Sequence, residues 1–208
     1  MEAAQPEQVV EGKYTEMYEW AKPYLDTRHN EVHVAIAYRF AQRLLDHYSD
    51  AEEAVVLPAV ILHDVGWKMI PEGDQLKAFG PKRQAADPSA ASGQAVRRVH
   101  EVEGARIARE ILSAVDYDAA LSDEILAIID GHDSRETALS LNDQLMKDAD
   151  KLWRFSQTGI EIDHQRFEIE LDEYTDWLRD RIDGWMFTSK AKQMARETLA
   201  KAKRALES

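Results

Sequence analysis

Four histidines and two aspartates in this chain stand where a helix or its end should be apolar. His33 leads a stripe continued by Ile36, Ala37, Phe40 and Leu44, and His132 closes one made by Ile125, Ile128 and Ile129. His100 shares a face with Gly104, Ile107 and Ile111, while Asp150 falls with Met146, Ala149 and Trp153. His63 ends the apolar run Ala59, Val60, Ile61, Leu62 and is followed at once by Asp64. Burying one such group without a partner costs on the order of several kcal/mol. A lone inward histidine reads as a core residue bonded to a carbonyl. A set spread over five segments needs a common remedy, and no inward Lys or Arg is an evident partner for all of it. A divalent cation accepts this mixture of neutral imidazole and carboxylate, so the chain must fold in a way that brings the set to one place.

The apolar spacing is helical almost throughout, with three- and four-residue steps near 14–25, 31–48, 52–65, 96–114, 120–131, 142–157, 164–182 and 186–206. Strand-like alternation is nearly absent, and no fixed-period repeat is visible. This predicts an all-α fold: a single compact multi-helix bundle over 1–208, with a core at about 25–155 and C-terminal helices from 156 to 208 packing on it. Residues 71–95 break the pattern and hold three of the six prolines and three of the nine glycines. They read as a long loop after the His63-Asp64 pair, either a lid on the substrate side or an insertion without a role.

The chain has no cysteine, which removes disulfides, thiolate nucleophiles and Cys-based zinc sites, so any metal must be held by His, Asp or Glu. A net charge of -13 argues against nucleic acid as the main partner. The basic segment from residue 190 to 208, with six Lys/Arg against two Glu, reads as a terminal helix with a solvated face. No window reaches the length of a membrane span, and the acidic N-terminus lacks the layout of a secretory signal, so a cytoplasmic protein without a membrane partner is expected. No heptad seam decides between a monomer and a homodimer.

In order, the inward residues run His33, His63-Asp64, His100, His132, Asp150, with "HDVG" and "DADKL" around the fixed points. This resembles the HD-domain superfamily of metal-dependent hydrolases, in the dinuclear branch that reads H…HD…H…H…D, over roughly residues 25–155. The resemblance implies one metal on His33, His63, Asp64 and Asp150, and a second on His100 and His132, with Asp64 bridging. Asp148 is the rival of Asp150, which is preferred because the family's aspartate is followed by a basic or aliphatic residue and then a Leu, as in "ADKL". Arg28 stands where such hydrolases often carry an arginine facing the substrate phosphate. Lys68 lies one place beyond the lysine of relatives that read HD-x-G-K, so its role as a phosphate contact does not carry over directly. Trp67 takes the lysine's place and is expected to wall the pocket. Asn30 is expected to cap a helix, and Trp153 and Phe155 to lie in the core.

Two divalent ions (Fe, Mn, Ni, Mg or Zn) sharing a carboxylate would lower the pKa of a water and supply a hydroxide nucleophile. The expected catalytic residues are Asp64, Arg28 and Lys68. The expected activity is that of a phosphohydrolase of phosphatase or phosphodiesterase type. Its partner would be a small phosphorylated substrate, a nucleotide or other phosphomonoester. Two other readings stay open. One is a mixed-valence diiron oxygenase cleaving a C–C or C–P bond with the same ligands; the other is a metal-stabilised binding module without catalysis.

Overall fold

The computed structural model describes residues 10, 12–75 and 90–206, and among these every regular element is helical. After a 3-10 turn at Gly12–Tyr14 come α1 (Thr15–Leu25), α2 (Asn30–Leu45) and α3 (Glu53–Leu62). A 3-10 turn at Val65–Met69 and the short α4 (Glu72–Gln75) follow. Then come α5 (Ala90–Ala114), α6 (Ala119–Ile129), α7 (Leu141–Leu152), a 3-10 turn at Trp153–Phe155, α8 (Gln157–Arg166), α9 (Leu171–Arg179), α10 (Ile182–Trp185) and α11 (Ser189–Leu206).

The bundle is organised around α3, which is apolar all round and buried along its whole length from Ala54 to Leu62. Such a helix is stable only when other helices surround it, and α1, α2, α6 and α7 do so. Pro58 sits inside α3 and cannot donate to the carbonyl of Ala54. The Tyr117 hydroxyl donates to that carbonyl instead, at 2.6 Å, so the proline leaves no orphaned acceptor there.

Side-chain caps set several boundaries. Asp118 accepts from the amides of Ala120 and Leu121 at the start of α6, Ser140 from Asp143 at α7, and Ser156 from Gly159 at α8. The Val65–Met69 turn lies against α5 at a point where Gly66 has no room for a side chain and Gly104 has little. A Cβ on Gly66 would stand 2.1 Å from the His100 carbonyl oxygen, and one on Gly104 would stand 3.3 Å from the His63 carbonyl oxygen. This contact brings the His63-Asp64 pair next to His100.

Three boundaries differ from the sequence reading. The expected 71–95 loop is shorter: Glu72–Gln75 forms a helical turn and α5 already begins at Ala90. The intervening 76–89, most of the stretch given the lid reading, lies outside the described residues. The run read as one helix over 164–182 is broken at 167–170, where Glu168 has a positive φ of 52°. Its first turn belongs to α8, which Ser156 starts earlier than the apolar pattern indicates. Asp148, the rival of Asp150, has a structural role: its carboxylate accepts from the Phe187 amide at 2.7 Å and from the Thr188 amide and hydroxyl at 3.0 and 2.7 Å. It ties α7 to the start of α11.

Candidate metal centre

Each inward residue reaches the centre from a different part of the bundle. His33 comes from the first turn of α2 and Asp150 from the last turn of α7, two helices packed on each other. His63 caps the C-terminus of α3 with Asp64 next to it, His100 projects from α5, and His132 lies in the turn after α6. His33, His63, Asp64, His100, His132 and Asp150 are all buried.

Their donor atoms fall into two groups that share Asp64. In the first, His33 Nε2 lies 3.0 Å and His63 Nε2 3.4 Å from Asp150 Oδ1, with His63 Nε2 3.6 Å from Asp64 Oδ1. In the second, His100 Nε2 is 3.4 Å and His132 Nε2 3.9 Å from the same Asp64 oxygen, and the two nitrogens are 3.2 Å apart. His33, His63 and Asp64 could hold one ion, and Asp64, His100 and His132 another.

Two local devices aim the imidazoles. His63 Nδ1 meets the Val60 carbonyl at 2.8 Å and His132 Nδ1 meets the Ile129 carbonyl at 2.9 Å, each three residues back. A proton held on Nδ1 by that bond leaves the Nε2 lone pair facing the centre. The Nε2 atoms of His33 and His63 are buried and face the Asp150 and Asp64 carboxylates at 3.0–3.6 Å, side by side as the donors of one metal site would be. Two tryptophans hold other rings in place. Trp67 stacks on His100 with centroids 4.1 Å apart and donates from Nε1 to Asp64 Oδ1 at 2.9 Å. Trp153 stacks on His33 at 4.7 Å and lines the pocket, so it does more than fill core.

The electrostatics describe a cluster that a proton holds together in place of a cation. Burial disfavours a charged His63, yet the Asp64 and Asp150 carboxylates lift it to about 9. Burial would raise Asp64 and Asp150, but the neighbouring His63 and His33 hold both well below the usual carboxylate range. His100 is pushed well down by burial and by His132, so it stays neutral and able to ligate.

Arg28 lines the same pocket and stacks over Trp67 at 4.2 Å. Lys68 does not. Its side chain is 41% exposed and its ammonium donates to the Asp26 carbonyl at 3.1 Å. Asn30 is not a cap: it is buried and its amide donates to the Asp64 carbonyl at 3.4 Å.

Three further residues line the pocket: Arg154 and Arg166 carried no usable signal in the sequence, whereas Asp133 belongs to a second His-Asp dipeptide, in "GHDS" at 131–134. Arg154 and Arg166 line the pocket with Arg28, both bonded to the buried Asp163 carboxylate, and Arg166 also donates to the Arg28 carbonyl. Burial and the nearby Arg166 lower Arg28 to about 10, the mark of like charges held close together. Asp133 follows His132 as Asp64 follows His63. Burial raises its carboxyl, and although His132 opposes this, Asp150 and Asp64 add to the rise.

The geometry and the ligand order agree with the comparison against known families. The HD domain model matches residues 31–154, and the chain belongs to that family. Searches of curated proteins and of solved structures returned no match. The family points to the superfamily of metal-dependent hydrolases, and the clustered His and Asp side chains are suited to divalent metal.

Proposed function

We propose that the protein is a dinuclear metal-dependent phosphohydrolase acting on a small phosphomonoester, a nucleotide being one such substrate. The observation that carries this reading is the trio Arg28, Arg154 and Arg166 lining the same pocket as His33, Asp64 and Asp150. Divalent cations bound by the His and Asp donors would supply Lewis-acid activation of water and charge neutralisation at phosphorus. The protein's own groups do the rest. The guanidinium forks bind and orient phosphoryl oxygens through paired charge-assisted bonds. Asp163, bonded to both Arg154 and Arg166, fixes the direction of two of those forks. Trp67 and Trp153 exclude water from the sides.

Arg28 and Arg166 also line an outer cleft of about 910 Å³ with His29, Glu31, Gln75 and Gln165. A cleft of this size accommodates the alcohol part of a small substrate. Lys68 is not part of the proposed machinery.

The two three-residue groups sharing Asp64 also suit a pair of irons, so a diiron oxygenase is the second reading. One experiment separates them. Protein purified without chelator is assayed for bound metals, its absorption spectrum is recorded before and after admitting O₂, and it is screened against phosphomonoesters and diesters. Monoester turnover that Asp64→Ala abolishes supports the proposal. Oxygen-dependent charge-transfer bands without phosphate release favour the oxygenase. Metal binding with neither activity leaves the non-catalytic module.

A further inference from the structure

The His132-Asp133 pair repeats the arrangement of His63-Asp64. Each histidine follows the end of a buried apolar helix, and each directs Nδ1 to the carbonyl three residues back. Asp64 reaches across to both groups of donors; Asp133 reaches the second. Its Oδ2 lies 3.6 Å from His132 Nε2 and 3.8 Å from His100 Nε2. With the 3.2 Å between the two imidazole nitrogens and their 3.4 and 3.9 Å distances to Asp64 Oδ1, these are five of the six edges of a four-donor figure. A tetrahedral site with ligand bonds of about 2.0–2.2 Å has edges of about 3.3–3.6 Å. The 3.2, 3.4 and 3.6 Å edges match that range, and the 3.8 and 3.9 Å edges are only 0.2–0.3 Å longer, so the donors need move little to close on one ion.

The turn that carries Asp133 is pinned for the purpose. Glu101, fully buried next to His100 on α5, accepts from the Asp133 amide at 2.9 Å and the Ser134 amide at 2.7 Å through one oxygen. Its other oxygen accepts from the Ser134 hydroxyl at 2.7 Å and from Arg98 at 3.2 Å. The bonds tie the turn after α6 to α5 and so fix Asp133 relative to His100.

We propose that Asp133 is the fourth donor of the second cation site, completing a set of His100, His132, Asp64 and Asp133, and that Glu101 is its positioning residue. This inference rests on the dinuclear reading of the centre but not on the reaction, because the ion count is the same in a phosphatase and an oxygenase. Metal-free wild type, Asp133→Asn and His132→Ala are equilibrated with Mn²⁺ and desalted. Their ion content is then measured by elemental analysis, with circular dichroism as the check on folding. The expected result is about two ions per chain in the wild type and about one in each variant, a first-sphere loss exceeding the 10–100-fold typical of outer-shell changes. Asp133→Asn with the wild-type count overturns the inference, as does a wild type that holds a single ion. Crystals of the Mn²⁺-loaded wild type supply a test that needs no variant to fold. An anomalous peak with an Asp133 oxygen at bonding distance supports the inference, and a carboxylate turned away from the second ion contradicts it.

Discussion

His63 links the centre's chemistry to the stability of the protein. Its metal-free pKa of about 9 is above the ordinary value of 6.5, so protonated His63 favours the folded state. That contribution is complete below about pH 6.5 and is lost as pH rises through about 9. The metal-free protein is therefore expected to lose about 3 kcal/mol of stability across this window. Urea melts at several pH values measure this, and a saturating divalent ion should abolish the loss by taking the proton's place. The guanidinium wall makes a separate prediction: Arg166→Gln should raise KM for a phosphomonoester about 10–100-fold, the value of one charge-assisted contact. Ion content should stay the same, and steady-state kinetics beside metal analysis separates the two effects. The His and Asp residues of the cluster were legible because they interrupt or end apolar stripes, and such an interruption shows in one dimension. Arg154 and Arg166 were not, because a charged residue near a helix end looks solvated until the tertiary fold turns it inward; Asp133 showed only as a second His-Asp dipeptide. Lys68 shows the reverse, since its nearness in sequence to the HD pair says nothing about which way a 3-10 turn points it.

At the level of elements, the approach of the Val65–Met69 turn to α5 sets the distance between the two halves of the centre. Gly66→Ala would place a Cβ 2.1 Å from the His100 carbonyl oxygen, and backbone there cannot yield cheaply. A loss of about 2–4 kcal/mol is expected, with weakened metal retention, read by thermal melts and ion content. Tyr117→Phe should cost about 1–3 kcal/mol by stranding the Ala54 carbonyl in α3, with no effect on ion content. Most helices were legible from periodicity alone, and the small Gly104 on the His100 face lies where the turn approaches α5. What periodicity missed were breaks set by single residues. Ser156 starts α8 by capping Gly159, and the positive φ of Glu168 separates α8 from α9. A cap or a left-handed residue carries no apolar signature.

At the level of the whole molecule, residues from five helical segments and the turns beside them converge on one shared carboxylate, and their burial is tolerable only when their charges are satisfied. Cations bind the folded state and not the unfolded chain, so ions at about a hundred times their Kd stabilise by about 2.7 kcal/mol. For a chain of this size, chelation should lower Tm by about 5–10 °C, reversibly on adding metal back. The most direct test of the convergence is a calorimetric titration of Mn²⁺ into metal-free wild type and Asp64→Asn in two buffers of different ionisation heat. The wild type should bind about two ions with proton release, and Asp64→Asn, lacking the shared carboxylate charge, should lose tight binding at both sites. A wild type that takes up no ions, or an Asp64→Asn variant that binds them like the wild type, would contradict the central claim.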